Sequence, residues 1–491
     1  MKVKTIGWMA ALGMVFSSVT VWSLTKPKSW DAKTVATADT ALATGPLVQD
    51  PSSNDTGAQF RVGSVLELSG RLGHSALLTG NETESYILAT VRAQTAGSVR
   101  QGLNLAVVLD RSGSMKGRRL GNALDAARDM IRRLSDGDVL SIVAYDTQTD
   151  TLLPPTRMDS FSRDRALSAL SNVQAKGDTC ISCGIDAGMA ALRQNSGMVD
   201  RILLLSDGEP TSGIKDVAGF RTLASRARSM GCALSSVGVD VEYNERVLSA
   251  LALESNGTHY FAENPGDVSR AFDKELSSLS KTTAKDAEVR IALADGVELE
   301  QVVDRAFRRE GNDVVVPLGT FSENEEKTVL LRIRARSTQD LSMQIARVSL
   351  SYAGPTGARS TETGNLQAAL TTDPNLVTPL DSLVEARVTR TESADALIGA
   401  NQAIAGGDFK SAEEKLNRAL NEVREKRKTI ASRAPAAARP KLDQDLAAQE
   451  GALDKAAKDL EAAPKPGSAG GERAGKVQQK RNVETSNPFR L

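Results

Sequence analysis

Residues 104–114 are Asn-Leu-Ala-Val-Val-Leu-Asp-Arg-Ser-Gly-Ser, a largely apolar run that ends on a carboxylate and two hydroxyls. The run predicts a buried strand, and Asp110, Ser112 and Ser114 then fall on the loop that follows it. Gly113 lets this loop bend tightly enough for both hydroxyls to approach one point. Oxygen donors without sulfur or imidazole favour Mg²⁺ or Mn²⁺ over zinc or copper. The stretch therefore predicts a divalent cation site at the end of a strand.

On its own, an Asp-x-Ser-x-Ser loop can also be a polar turn that caps the next helix. Two later segments support the cation site over this alternative. Residues 199–210 contain a second apolar run, which ends on Asp207. Between the two runs, residues 177–179 are Gly-Asp-Thr and add a third hydroxyl. In a parallel sheet, the loops at the carboxyl ends of neighbouring strands meet in one crevice. We therefore expect five side chains to surround one ion: Asp110, Ser112, Ser114, Thr179 and Asp207.

These segments resemble the metal-ion-dependent adhesion site of von Willebrand factor type A domains, and the resemblance covers residues 100–282. It implies that Ser112 and Ser114 contact the metal directly, whereas Asp110, Thr179 and Asp207 bind it directly or through water. It also implies that a carboxylate of a partner protein completes the coordination, so that the site serves adhesion and recognition.

Asp178 departs from the resemblance, because glycine is common at this position in the family. Its negative charge either raises cation affinity or repels an acidic partner. The alternative is that Asp178 is only a solvated turn residue.

Strands and helices alternate throughout residues 100–282. An amphipathic helical pattern occupies residues 120–134, and further helices are predicted near 164–174, 185–194, 217–230, 244–255 and 268–279. Apolar strands are predicted at 138–146, 201–206, 233–239 and 258–261. This order predicts an α/β domain with a doubly wound, mostly parallel sheet and helices on both faces.

Two segments with strand-like alternation flank this domain. Residues 58–98 contain two such runs, and residues 284–372 contain four more, at a spacing that suggests a β-sandwich. We expect the two segments to pair into one β module interrupted by the α/β domain.

The chain then becomes helical over residues 375–463, where a Gly-Gly-Asp turn at 406–408 separates two helical patterns. This is either one tetratricopeptide-like repeat or a plain helical hairpin or coiled-coil arm. Residues 464–491 contain few apolar side chains and are predicted to be disordered.

The sequence contains three cysteines, and their chemical state depends on whether the protein lies in an oxidising or a reducing compartment. Cys180 and Cys183 form a Cys-x-x-Cys pair directly after Thr179, and this pair is a short disulfide, two buried thiols or a redox-sensitive dithiol. Cys232 begins an apolar strand and is predicted to be a core residue. A four-thiolate zinc site is excluded within one chain.

The N-terminus predicts export. Lys2 and Lys4 precede residues 5–24, which carry no charge and are long enough to cross a bilayer. Residues 1–24 are therefore a signal peptide or a membrane anchor, and residues 25–57 are a flexible linker. The chain has 61 basic and 61 acidic residues, so no overall charge indicates a nucleic-acid partner.

Three classes of function follow from these features. The first is a metal-dependent binding module of an exported or membrane-anchored envelope protein, which takes an acidic group from a partner. The second is an envelope scaffold or assembly factor without a metal-dependent ligand. The third is an enzyme or a redox protein that uses Cys180 and Cys183. We expect the chain not to be an enzyme, because it has only two histidines and the site has no evident general base.

Overall fold

The computed structural model describes residues 57–94, 102–195, 197–207, 209–240, 243–263, 265–279, 282–336, 341–354 and 357–490. The predicted signal peptide or anchor and nearly all of the predicted linker lie outside the described residues. No helix in the described part of the chain has both the length and the apolar character needed to cross a bilayer.

Four groups of elements follow one another along the chain. The first group contains β1 (Gln59–Val62), β2 (Leu66–Leu72), β3 (Ala76–Leu78) and β4 (Glu82–Ala93). The central domain contains β5 (Leu103–Asp110), α1 (Arg118–Arg133), β6 (Val139–Tyr145), β7 (Thr149–Arg157), α2 (Ser160–Ala169), α3 (Ile181–Leu192), β8 (Val199–Ser206), α4 (Val217–Ser229), β9 (Ala233–Val239), α5 (Glu245–Glu254), β10 (His259–Ala262) and α6 (Pro265–Leu279). The third group contains β11 (Thr282–Leu293), β12 (Val297–Val303), β13 (Arg308–Glu310), β14 (Asp313–Ser322), β15 (Glu326–Arg336), β16 (Leu341–Ala353) and β17 (Arg359–Thr371). The last group contains α7 (Ser382–Ala405), α8 (Phe409–Arg433), α9 (Arg439–Glu461) and α10 (Ala469–Arg490).

The central domain has one six-stranded sheet in the order β10-β9-β8-β5-β6-β7. The first five strands are parallel, and β7 is antiparallel to β6 at the edge. This confirms the predicted doubly wound, mostly parallel sheet. Strand β7 was not predicted from the sequence, because it contains Pro154 and Pro155. An edge strand tolerates proline because one side of its backbone needs no sheet hydrogen bonds.

Strand β5 lies at the centre of this sheet and is buried along its whole length. Leu105, Val107 and Leu109 face one layer of helices with α1 and α6, whereas Ala106 and Val108 face α3, α4 and α5 on the other side. This burial on both faces explains the unbroken apolar run at residues 105–109.

Strands from before and after the central domain share two further sheets. One has the order β1-β2-β4-β15-β12, and the other has the order β13-β14-β11-β16-β17-β3. Strand β4 pairs with β15 over eleven residues, from Glu82 to Arg92, and β3 pairs with β17. One apolar core lies between the two sheets and draws on both segments. The central domain is thus an insertion into a β-sandwich.

The C-terminal region consists of long helices that pack on one another. Helices α7 and α8, of 24 and 25 residues, are joined at Gly406–Asp408. Together they exceed the roughly 34 residues of one tetratricopeptide repeat, so the hairpin is of the plain type. Helix α9 packs against α8, and their shared apolar core includes Leu416, Leu420 and Leu453.

The prediction that residues 464–491 are disordered is wrong for the described part, because residues 469–490 form α10. This helix has few apolar residues, but it buries several polar ones that hydrogen-bond within the helix and to other elements. Gln478 donates to Asn482, Asn482 donates to Asn401, and Lys480 donates to the backbone oxygen of Tyr243. Composition alone indicated disorder because such partners become visible only after folding.

Candidate metal centre

Asp110 lies where three neighbouring parallel strands end. It is the last residue of β5, Tyr145 is the last residue of β6, and Ser206 is the last residue of β8. One carboxylate oxygen of Asp110 accepts a hydrogen bond of 2.8 Å from the backbone N–H of Ser112. The other accepts hydrogen bonds from the Tyr145 hydroxyl at 3.1 Å and the Ser206 hydroxyl at 2.7 Å. The Asp110 carboxylate is therefore fixed in one orientation beneath the loop.

The loop after β5 brings the two predicted serines together. The hydroxyl oxygens of Ser112 and Ser114 are 3.0 Å apart, and the Ser114 hydroxyl donates to Asp207 Oδ1 at 2.8 Å. The backbone N–H of Gly113 donates to the Gly177 carbonyl at 3.0 Å, which ties this loop to the loop that carries Thr179. The structure thus brings together the side chains of Ser112, Ser114 and Asp207, with Asp110 directly below.

Thr179 lies on the neighbouring loop, and its described hydrogen bonds are to Thr211 and Ser212 rather than to Ser112, Ser114 or Asp207. Its N–H donates to the Thr211 hydroxyl at 2.9 Å, and its carbonyl accepts from the N–H groups of Thr211 and Ser212 at 3.1 and 3.2 Å. The residue is buried, whereas the neighbouring Asp178 is exposed and its N–H donates to the Thr147 hydroxyl. The loops after β5 and β8 and the Thr179 loop are therefore locked to one another.

Arg119 is a member of this site that the sequence analysis missed. Its guanidinium Nη1 is 2.9 Å from Asp207 Oδ2 and 3.2 Å from the Ser114 carbonyl oxygen. Its Nε and Nη2 both lie 2.9 Å from Asp240 Oδ2. The sequence carried no signal for this role, because Arg119 is one of many arginines on the polar side of α1.

Tyr145 and Ser206 were also missed, although a signal for them existed. Tyr145 is the register partner of Asp110, and Ser206 ends the strand on the other side of β5. A polar residue at the carboxyl end of a strand next to β5 is expected to reach the same crevice.

The two carboxylates carry an electrostatic cost in this arrangement. Burial raises the pKa of Asp110 to about 6; the nearby charge of Asp207 also raises it, whereas hydrogen bonds from Ser112 and Ser206 lower it. Burial likewise raises the pKa of Asp207, and the hydrogen bonds from Ser114 and Arg119 oppose that shift. A divalent cation between the two carboxylates would offset both effects.

The donor set fits a hard cation. It consists of hydroxyl and carboxylate oxygens, which are ligands that Mg²⁺ and Mn²⁺ accept. Among the described residues, no group of three His, Cys, Asp or Glu side chains is arranged to hold a metal, so a cation here would depend on the hydroxyls of Ser112, Ser114 and Thr179.

Cys180 and Cys183 are joined by a disulfide directly after Thr179. Cys180 precedes the first residue of α3, and its N–H donates to the Asp146 carbonyl at 3.0 Å. Cys232 is buried and has a free thiol. The disulfide closes a short ring at the base of the Thr179 loop.

Residues 104–274 match the family model of the von Willebrand factor type A domain. The central domain is a type A domain. An uncharacterised protein from Synechocystis sp. is 26% identical over 272 residues, which make up 53% of this chain and 64% of that protein. The inter-alpha-trypsin inhibitor heavy chain H4 of Homo sapiens is 27% identical over 164 residues, or 31% of this chain and 17% of that protein. The chain thus spans less than two thirds of the length of these relatives.

Solved structures extend the likeness beyond the type A domain. A von Willebrand factor type A protein from Catenulispora acidiphila has a TM-score of 0.67 at 17% identity and covers 85% of this chain and 96% of its own. The ArnB paralog VWA2 from Sulfolobus acidocaldarius has a TM-score of 0.56 at 16% identity and covers 87% of this chain and 100% of its own. At these identities the comparison shows a shared fold, which includes much of the structure around the type A domain.

Proposed function

We propose that the chain is a metal-dependent binding module of an exported or membrane-anchored envelope protein, and that its bound Mg²⁺ or Mn²⁺ receives an acidic group from a protein partner. The observation that carries this proposal is the convergence of Ser112, Ser114 and Asp207 above Asp110. Type A domains commonly mediate protein–protein interaction, and the match to that family supports binding as the task of this domain.

The chain's own residues would act here by holding and orienting the cation. Ser112 and Ser114 would provide the direct ligands, while Asp110, Thr179 and Asp207 would bind it directly or through water. The bound cation would supply a positive charge with room for a carboxylate of the partner. Arg119 and the residues around Asp110 keep the ligand groups in place, so little reorganisation is needed on binding.

Recognition rather than catalysis is supported by where the histidines lie. His74 contacts the Ser85 hydroxyl in the β-sandwich, and His259 lies inside β10 between Ser236 and Tyr243. Neither is at the carboxyl end of β5 or β8, so no imidazole is placed to act as a general base beside Ser112 or Ser114.

The envelope location rests on two features of the chain. The uncharged segment at residues 5–24 has the length and position of an export signal or anchor. The disulfide between Cys180 and Cys183 is typical of oxidising compartments outside the cytosol.

A second candidate is an envelope scaffold that uses the type A fold without a cation. Arg119 favours it, because its guanidinium already neutralises the Asp207 carboxylate. The two candidates differ in whether the site takes up Mg²⁺ or Mn²⁺.

Calorimetry with Mg²⁺ and Mn²⁺ on the purified full-length chain tests the proposal. Ser114→Ala removes an exposed hydroxyl of the site, and Ser168→Ala removes an exposed hydroxyl of α2 as a matched control. We expect saturable binding by the wild type and Ser168→Ala that is weakened at least about tenfold in Ser114→Ala. If no variant binds either cation, the scaffold function is supported and the metal-dependent function is rejected.

A further inference from the structure

Helix α10 packs against the type A domain, although the two are far apart in sequence. Val477 joins the apolar core on the side of the sheet that carries α3, α4 and α5. The side-chain amide of Asn487 donates to the backbone oxygen of His259 in β10 at 3.0 Å. Arg481 is 3.2 Å from Glu263, which directly follows β10. The C-terminal helix therefore covers the edge of the central sheet next to β10.

Lys480 is the most specific contact of this helix. Its ammonium group is buried, donates to the Tyr243 carbonyl at 2.7 Å and pairs with the Glu245 carboxylate. It also lies 4.4 Å from the centre of the Tyr243 ring. A buried ammonium is stable only when such partners are in place, so Lys480 holds Glu245, at the start of α5, and Tyr243, two residues before it, in one position.

Asp240 precedes this segment and is held in place from two sides. Its N–H donates to the Ala262 carbonyl at the end of β10 at 2.9 Å, and its backbone has a φ of 67°. Aspartate is one of the few non-glycine residues that adopt this left-handed conformation readily. Arg473 of α10 also approaches the Asp240 carboxylate, at 4.0 Å. The position of Asp240 therefore depends on β10 and on α10.

Arg119 connects Asp240 to the candidate metal centre. Two nitrogens of its guanidinium bind Asp240, and the third binds Asp207 and the Ser114 carbonyl. Lys480 thus lies over the Tyr243 ring, which packs against Gly238 of β9, two residues before Asp240. Asp240 in turn pairs with Arg119, which binds Asp207.

We propose that Lys480 and Asp240 are positioning residues of the candidate metal centre, through which the docked helix α10 tunes its cation affinity. The guanidinium of Arg119 pairs with two carboxylates, those of Asp240 and Asp207, so each receives only part of its positive charge. When α10 is displaced, Tyr243 loses the contact with Lys480 and Asp240 loses the contact with Arg473. Asp240 then no longer holds Arg119 in this way, and the full positive charge of Arg119 remains beside Asp207. Cation binding is then weakened by repulsion from Arg119 and by the less firmly held carboxylate of Asp207. The effect on affinity rests on the proposed function, whereas the docking contacts do not.

Four variants of the full-length chain test this coupling. Lys480→Met removes the ammonium group and keeps most of the apolar stem, and Asp240→Asn removes the carboxylate that pairs with Arg119. The double variant combines them. Arg490→Gln is the matched control, because Arg490 lies on the same helix but pairs with Asp304 and Asp395, outside the type A domain. Thermal unfolding of each variant establishes that the fold is intact before binding is measured.

With Mn²⁺ as the probe, we expect Lys480→Met and Asp240→Asn each to weaken binding by about threefold or more. In the Asp240→Asn background, Lys480→Met should have almost no further effect, because the coupling passes through Asp240. A purely structural role of Lys480 would instead add its loss to that of Asp240. Additive losses, or unchanged binding by Lys480→Met, would overturn the proposal while leaving the metal centre intact.

Hydrogen exchange gives a readout that does not need the cation. We expect Lys480→Met to accelerate amide exchange in peptides that contain Asp240 and in peptides that contain Arg119, and Arg490→Gln to leave the Arg119 peptides unchanged. If the wild type fails to bind Mn²⁺, the proposed function fails and exchange still decides the coupling. Unchanged exchange around Arg119 in Lys480→Met would overturn it.

Discussion

Ser114 donates a hydrogen bond of 2.8 Å to Asp207, which joins the turn after β5 to the residue after β8. The two residues are far apart in sequence, but their strands are parallel neighbours with Leu109 opposite Leu205. Parallel pairing places both strand ends at one edge of the sheet, so a hydroxyl and a carboxylate that follow them meet there. The contact shows that the protein's own hydrogen bonds organise the candidate metal centre.

Losing one of the three hydrogen bonds to Asp110 should lower the free energy of unfolding less than losing all three. Tyr145→Phe removes one donor and keeps the buried ring, so we expect the free energy of unfolding to fall by about 1 kcal/mol. Asp110→Ala removes the shared acceptor and leaves three buried donors unpaired, so we expect a loss of about 3 kcal/mol or more. Urea denaturation followed by circular dichroism measures both. Equal losses in the two variants would show that Asp110 does not organise these donors.

Two helix glycines should respond in opposite directions to alanine. A Cβ at Gly184 in α3 would lie 2.6 Å from the Tyr145 ring and 2.8 Å from a Val108 methyl, whereas a Cβ at Gly121 in α1 would meet nothing within 4 Å. We expect Gly184→Ala to lower the free energy of unfolding by about 1–3 kcal/mol through overpacking. Gly121→Ala should raise it by about 0.5–1 kcal/mol, because alanine is the better helix former. Chemical denaturation of the matched pair decides; a gain in Gly184→Ala would mean that α3 packs less closely on β5 and β6 than described.

The cysteines should react as one free thiol and one disulfide. Burial raises the pKa of Cys232 to about 12, so the native chain should resist alkylation at neutral pH. Unfolded in guanidinium without reductant, the chain should take up one alkyl group, and after reduction it should take up three, because Cys180 and Cys183 are then released. Intact-mass spectrometry counts the groups. Three alkyl groups without reductant, from a chain purified out of an oxidising compartment, would exclude the disulfide.

His259 should make the folded state sensitive to acid. Burial, together with the charge of Lys480, lowers its pKa from 6.5 to about 3, and Ser236 and Tyr243 hydrogen-bond the neutral ring. The unfolded chain takes up a proton below pH 6.5 that the native ring refuses, so this stability is complete above pH 6.5 and is lost as the pH falls toward 3.

Between pH 7 and pH 5, His259 should therefore cost the wild type about 2 kcal/mol of unfolding free energy. His259→Gln keeps a polar side chain that does not titrate in this range, and it should lack this part of the decline. Urea denaturation at pH 7, 6 and 5 compares the two proteins, with the difference between their slopes assigned to His259. Parallel slopes would show that the ring titrates normally in the folded chain.

The hydrophobic pattern of the sequence predicted the central fold because most of its helices and strands are buried in a regular way. Strand β5 required an unbroken apolar run, and α1 required apolar side chains at Leu120, Leu124 and Ile131 to cover one face of the sheet. Strand β7 was missed because its exposed residues and two prolines lack that pattern. Helix α10 was missed because its burial relies on polar partners.

The sequence by itself determined that a doubly wound sheet would carry Asp110, Ser112, Ser114, Thr179 and Asp207 at its carboxyl edge, since the strands follow from local apolar patterns and their parallel pairing follows from the helices that connect them. Only the tertiary structure decided that Arg119 bridges Asp207 and Asp240, and that Lys480 reaches Tyr243. Charged side chains on helices usually remain in solvent, and their partners are set by which distant surfaces meet. Burial then makes those pairings specific, because an ammonium or guanidinium group removed from water must find an acceptor.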